Sequence, residues 1–252
     1  MNKFMGIDTT YDKRPRINNT VVVGFTGTQC TGKTEQAILL RELEDFKIYT
    51  SPGRSLYYEN GIDINEDGTL GGQIQITGKM EEYTASALRQ KAHSISSDNR
   101  YNSFKAVFER THVDVRAYTL TSKLSEEEAF NMSGVNQALA IRQYEELFDI
   151  VFYFKPAPVE WYMSSEDGTR STDITYRYKV DELIRAELFD TGYYDTSKIV
   201  TVSFTHPYKV FATIAGAIEK LLYPSASEAY GSLVPTRATD DDNNPDESGG
   251  ST

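Results

Sequence analysis

The chain is 252 residues long, 39% hydrophobic and 25% charged, with a formal net charge of −11 at pH 7. Such a length buries one substantial core, which fits a single α/β domain, and the acidic balance argues against long nucleic acid, whose phosphate backbone demands basic stripes. Cys30 is the only cysteine, so no internal disulfide can form; with neither an apolar run of bilayer length nor a signal-peptide core, the sequence predicts a soluble, cytoplasmic protein without a membrane partner.

Residues 1–19 are polar and basic, with Lys13, Arg14 and Arg16, and read as an irregular lead-in. Val21, Val22, Val23 and Phe25 then form a short β-branched and aromatic run, the pattern of a buried strand. Directly after it, Gly27-Thr28-Gln29-Cys30-Thr31-Gly32-Lys33-Thr34 fills every position of a G-x-x-x-x-G-K-[ST] phosphate loop. Each fixed position has a physical purpose. Gly27 and Gly32 permit backbone angles that a Cβ would penalise, so successive amides can turn inward around a polyphosphate at a helix N-terminus. Lys33 would reach the β- and γ-phosphates, and the Thr34 hydroxyl would ligate Mg²⁺. Cys30 occupies one of the four variable positions. The motif predicts binding of a nucleoside triphosphate.

A helix follows, with Leu39, Leu43 and Phe46 expected on its apolar face. Residues 46–50 read as a second strand stopped by Ser51-Pro52-Gly53, and the next twenty residues, rich in Asn-Gly, Asp-Gly and Gly-Gly pairs, as loop or short hairpin. A helical pattern runs from Gln73 to about Ser94. Residues 104–108 form a third strand ending on Glu109-Arg110, and Thr111 with Asp114 has the spacing of a capping box, placing a helix start there. Two helical segments are expected around residues 113–123 and 135–147, broken near residues 131–134. Ile150–Phe154 is a fourth strand. A polar stretch at 164–175, carrying the Asp167-Gly168 turn pair and Arg170, precedes a helix marked by Val180, Ile184 and Leu188. Residues 199–204 form the last strand, and Val210, Ile214, Ile218 and Leu221 mark the last helix. Residues 225–252, with six acids against one base and almost no apolar periodicity, read as a disordered acidic tail.

Strands alternating with helices imply a parallel sheet covered on both faces, which binds ligands at the carboxyl ends of its strands. That rule selects residues 27–34, 51–54, 109–116 and 155–160. Glu109 is the only acid at the end of an apolar strand; Asp149 precedes its strand and sits at the wrong end. An acid followed by an arginine suits phosphoryl transfer between two bound molecules: the carboxylate orients or deprotonates the attacking hydroxyl or holds a metal-bound water, and the guanidinium neutralises the transferring group. The alternatives are a surface ion pair for Glu109-Arg110 and a purely helix-capping carboxylate for Asp114. His93, His112 and His206 share no metal-ligand spacing. Trp161, Tyr162, Tyr57 and Tyr58 could stack on a base or simply pack.

The phosphate loop, Ser51-Pro52-Gly53-Arg54, Glu109-Arg110-Thr111 with Asp114 and Tyr118, and Asp167-Gly168-Thr169-Arg170 before a helix together resemble the NadR-like, ribosylnicotinamide-kinase-type P-loop kinases. The stretch from Pro52 to Gln73 is similar to their phage-encoded members in particular. The resemblance covers about residues 21–222. It implies a nucleoside/nucleotide-kinase-like three-layer α/β fold with a central five-stranded parallel sheet, spanning residues 20–224, and a mobile arginine-bearing lid at about residues 160–178. Carried over to this sequence, it places ATP and Mg²⁺ on Gly27, Thr28, Gln29, Cys30, Thr31, Gly32, Lys33 and Thr34. Arg170 becomes the lid arginine, with Arg177 as a second. Arg54, Asp114 and Arg116 fall on the acceptor side, and Lys33, Glu109, Arg110 and Arg170 form the catalytic set. The family's Asp-Arg pair is Glu109-Arg110 here, and the acid of its Glu-x-x-Arg near the second strand is missing, so the general base falls to Glu109 or Asp114. Lys209 stands loosely where the family has a late arginine. The expected activity is transfer of the ATP γ-phosphate to a nucleoside, ribosylnicotinamide or nucleoside monophosphate. The rival expectation is an ATP-binding regulatory module acting on a protein partner, and a polynucleotide 5′-kinase is disfavoured by the net charge.

Overall fold

The computed structural model describes residues 20–60, 69–96, 103–158, 173–203 and 206–223. Five strands, β1 (Val21–Thr26), β2 (Lys47–Tyr49), β3 (Lys105–Phe108), β4 (Ile150–Phe154) and β5 (Ile199–Val202), form one parallel sheet in the order β2-β3-β1-β4-β5. Seven helices accompany them among the described residues. They are α1 (Lys33–Glu44), α2 (Pro52–Asn60), α3 (Leu70–Ser96), α4 (His112–Leu120), α5 (Glu126–Arg142), α6 (Ile174–Phe189) and α7 (Pro207–Leu222). A π-turn, Gln143–Leu147, prolongs α5 up to β4.

The sheet is buried on both faces, and the period-2 alternation of β1 divides its side chains between two cores. Val21, Val23 and Phe25 pack with Ala37 and Leu40 of α1 and with Val210, Ile214 and Ile218 of α7. Val22 packs on the other side with Met80 of α3, Val113 and Ala117 of α4, Ala140 of α5, and Val180, Ile184 and Leu188 of α6. Helices leaving β1 and β3 therefore depart to opposite faces, and the crevice this opens at the carboxyl ends of the two central strands is where such sheets bind ligands. At the other end of the sheet Asp149 accepts from the Val22 amide (2.8 Å) and pairs with Lys91 (2.8 Å), a purely structural use of that acid.

Four expectations need correction. Residues 52–60 are helical rather than loop: Pro52 sits in the first turn, where its missing N–H costs nothing, and Leu56 is buried. The turn-forming pairs that follow lie at residues 61–68, outside the described residues. The helical break falls at residues 121–125 and not 131–134, because Ser125 and Glu128 form a reciprocal capping box that starts α5 there. The helix then runs through Gly134, whose propensity cost of about 1 kcal/mol is offset by that cap and by burial of the Ala140 turn. The buried face of α1 carries Lys33, Gln36, Ala37 and Leu40, while Leu43 is 61% exposed. Leu221, in the last turn of α7, is likewise left in solvent. The lead-in, the tail and most of the expected lid lie outside the described residues.

Candidate active site

Gly27 ends β1 in a conformation that any side chain would oppose. Its φ is 134°, and a Cβ there would stand 2.4 Å from the Phe154 carbonyl on the neighbouring strand. Cys30 (φ 58°) and Gly32 (φ 82°) complete the reversal, and α1 starts at Lys33. The Lys33 side chain folds back inside the loop, where Nζ donates to the Gly27 carbonyl (2.7 Å), the Thr28 carbonyl and the Thr31 hydroxyl (2.9 Å). Burial foremost, then the charge of Arg110, holds the Lys33 pKa well below the ordinary lysine value, with Asp114 and Glu109 pulling the other way.

Glu109 stands one residue past β3, beside the end of β2, to whose Tyr49 carbonyl its amide donates (3.0 Å). It is 3% exposed. Its Oε2 accepts from the Ser51 amide (2.9 Å) and from Arg54 Nη1 (3.4 Å), while Oε1 takes no hydrogen bond among the described residues. Arg54, in the first turn of α2, also donates through both Nη atoms to the Thr34 hydroxyl at 3.3 Å. Loop residues 29–34, Ser51, Arg54, Glu109 and Arg110 line one open cleft of about 230 Å³. Hydroxyl and carboxylate thus converge on a single cationic position, an oxygen donor set that suits a hard cation completed by phosphate and water. No cluster of three His, Cys, Asp or Glu side chains able to hold a metal occurs among the described residues; the oxygens that meet at this position are those of Thr34 and Glu109.

Arg110 closes the cleft from the α4 side. Its Nη1 donates to the Gly27 carbonyl (2.7 Å) and to Asp114 Oδ1 (3.1 Å), and its guanidinium lies 4.9 Å above the Tyr118 ring. Burial works against that charge, yet Tyr118 and Asp114 outweigh it and raise the Arg110 pKa above the ordinary arginine value. Arg177 of α6 is fully buried and brings Nη2 to 3.5 Å from the Cys30 sulfur, on the flank of the loop. Arg170, Trp161 and Tyr162, and the side chains of Tyr57 and Tyr58, lie outside the described residues.

Two residues assigned from the sequence to the acceptor are committed elsewhere. Asp114 is fully buried: Oδ2 accepts from the Thr111 amide (2.8 Å) and hydroxyl (3.0 Å), and Oδ1 accepts from the Gly27 amide (3.0 Å) and Arg110. It caps α4 and at the same time fastens the phosphate loop to that helix. Arg116 pairs with Glu187 of α6, which also accepts from Tyr194 (2.9 Å) and Gln137 (3.2 Å). Neither residue lines the cleft. The histidines stay outside it too, His112 lying between Asn136 (3.2 Å) and Glu81 (3.1 Å) beneath α4.

Tyr118, grouped with Asp114 in the sequence and one helical turn beyond it, donates to the Gln29 side chain (3.1 Å) besides carrying Arg110. The Ser51 amide, a main-chain donor, leaves no trace in residue identity. Tyr153 donates to Asp181 (2.9 Å) at the carboxyl end of β4. Burial raises the Asp181 pKa, opposed by that hydrogen bond and by the charge of Lys33.

A parallel sheet whose central strand runs into a glycine-bounded loop, wrapped around a buried lysine and followed at once by a helix, defines a P-loop nucleotide-binding protein. A family model described as an AAA domain matches residues 22–202, and the chain belongs to that family. In structure it is similar to NadR in complex with NR, at 15% identity and a TM-score of 0.55, covering 79% of this chain and 52% of that one. It is also similar to deoxyadenosine kinase from M. mycoides with bound dATP, at 14% identity and a TM-score of 0.56, covering 78% and 98% of the two chains. Thymidylate kinase from Candida albicans gives 17% identity and a TM-score of 0.53, with 80% and 92% covered. The chain thus spans about half the length of NadR. No curated protein matches it in sequence. Identities this low establish a shared fold, that of the P-loop nucleoside and nucleotide kinases.

Proposed function

We propose that this chain is an ATP- and Mg²⁺-dependent small-molecule kinase that transfers the γ-phosphate to a nucleoside, ribosylnicotinamide or nucleoside monophosphate. The observation that carries the reading is the convergence of Lys33, Thr34, Glu109 and Arg110 on one cleft, with the phosphate loop on one side and the Glu109 carboxylate and Arg110 guanidinium on the other. In this reading the loop amides and Lys33 hold the triphosphate, and Thr34 binds the metal, with Glu109 beside it. Mg²⁺, when bound, neutralises the β- and γ-oxygens. Glu109, with Oε1 uncommitted, orients the acceptor hydroxyl and takes its proton as the new O–P bond forms and the bond to the β-phosphate oxygen breaks. Asp114, whose oxygens are filled by four donors, is left as the positioning residue rather than the base. Arg110 faces the charge that develops on the transferring group, Arg177 supplies further positive charge from the α6 side, and Arg170 is the lid arginine of this reading. The stretch from Pro52 to Gln73 supports a phage-type member acting in the host cytoplasm.

An acceptor screen with γ-labelled ATP tests the reading. Label on a nucleoside, ribosylnicotinamide or nucleoside monophosphate supports it; slow hydrolysis with every acceptor identifies a nucleotide-dependent regulatory module instead. With the acceptor in hand, Glu109→Gln is expected to lower kcat by roughly 10²–10⁴-fold, the usual worth of a positioned proton acceptor, with ATP affinity changed far less. A kcat within a few-fold of the parent would remove Glu109 from the chemistry.

A further inference from the structure

The contacts of Arg54 do not belong to a residue that only waits for an acceptor. Its Nη1 and Nη2 both reach the Thr34 hydroxyl at 3.3 Å, and Nη1 is 3.4 Å from Glu109 Oε2. Those two oxygens are the protein donors on which a divalent cation would sit, so guanidinium and metal compete for one position. Glu109 is nearly fully buried and needs a counter-charge; Arg110, the neighbouring cation, is turned instead to Gly27 and Asp114. Arg54 is the side chain that meets this need, a third exposed and in the first turn of the short helix α2. That helix is tied to the rest of the fold through Ser55, which shares a hydrogen bond with Tyr83 of α3 (2.9 Å), and through Leu56.

We propose that Arg54 is a built-in counter-ion that stands in for the metal between Thr34 and Glu109 and must leave Thr34 before a divalent cation can enter. The inference rests on the reading of the cleft as an ATP·Mg²⁺ site. Two consequences follow from charge alone. With Arg54 in place, metal-free ATP meets a positive charge near its terminal phosphates instead of the bare Glu109 carboxylate, so binding does not depend wholly on the metal. With Mg²⁺ present, the chain gives up the Arg54 contacts, and part of the affinity the metal would add is lost.

The test is the ratio of ATP dissociation constants measured with EDTA and with Mg²⁺, by calorimetry on the full chain. Arg54→Ala should weaken metal-free binding about tenfold, the loss of about one charge-assisted hydrogen bond, and leave Mg·ATP binding unchanged or tighter, so the ratio rises about tenfold. Arg54→Lys keeps the charge without the planar fork that spans both oxygens, and its ratio should fall between the two. A ratio for Arg54→Ala within about twofold of the parent's, with both constants moved together, would overturn the inference, because a structural or long-range charge effect acts on both states alike. Should Arg54→Ala fail to give a folded melting transition, Arg54→Lys decides by the same ratio. A parent chain that binds ATP in neither condition fails the functional reading itself, a result distinguishable from an unchanged ratio.

Discussion

Lys33→Met is expected to lower kcat/KM by at least about 10³-fold while leaving the unliganded chain no less stable than the parent. The first half follows from charge placed where it is worth most. An ammonium inside a dry loop, facing two phosphates, contributes on the order of 4 kcal/mol to the transition state, which converts to about three decades of rate. The second half follows from where the ammonium rests. Burial drives its pKa well below the ordinary lysine value, so the folded chain holds this proton less tightly than the unfolded chain does. Between the lowered value and the ordinary one the unfolded state carries more protons, and stability must rise with pH across that window. Methionine has a similar length and no charge to desolvate, so the variant loses the penalty and the pH dependence together. Thermal melts of parent and variant between about pH 7 and about pH 10 check this: the parent should gain on the variant as pH rises. A parent curve that falls relative to Lys33→Met would show that the hydrogen bonds to Gly27, Thr28 and Thr31 outweigh burial.

The donor half of the site was readable because its chemistry is written in consecutive residues. A β-branched run, a glycine-bounded loop and Lys33-Thr34 can be placed without knowing any other part of the chain, and the structure puts them at the centre of the sheet. Glu109 was singled out by a rule of position, an acid just past a strand lying at the carboxyl edge of the sheet, and it lines the cleft there. The acceptor side was less legible. Residues 52–60 read as loop because Gly53 and Asn60 are turn formers, yet Pro52 opens a helix and Leu56 anchors it. Arg116 was grouped with Glu109 and Arg110 by proximity in sequence. On a helix, however, it stands roughly 200° around the axis from Asp114, and it faces Glu187 of α6 instead.

Asp114 shows how far spacing can carry a reading and where it stops. The capping box with Thr111 was visible as a separation of three residues, and it forms as expected. The same carboxylate's grip on the Gly27 amide, 87 residues away in sequence, was not, because nothing local encodes which loop a helix N-terminus will meet. Capping and loop-fastening are therefore one device, and that device holds Arg110 as well.

That coupling gives the second large effect. Asp114→Ala should destabilise the fold by roughly 3–5 kcal/mol, because it strips the first turn of α4 of its cap and leaves a mostly buried guanidinium without its carboxylate. For a domain of this size that is on the order of 10 °C in Tm. The charge part can be isolated with Arg110→Met. In that background no buried cation is left unpaired, so Asp114→Ala should cost at least about 1.5 kcal/mol less than in the parent, a coupling typical of residues in direct contact. Nucleotide affinity should follow another pattern: it falls in both Asp114→Ala chains, since the Gly27 amide loses its anchor whether or not Arg110 is present. Additive stabilities in the cycle would mean that Asp114 serves the helix alone. Undiminished ATP binding by a folded Asp114→Ala chain would mean that the loop keeps its shape without the carboxylate, and that Lys33 and the two glycines suffice to form it.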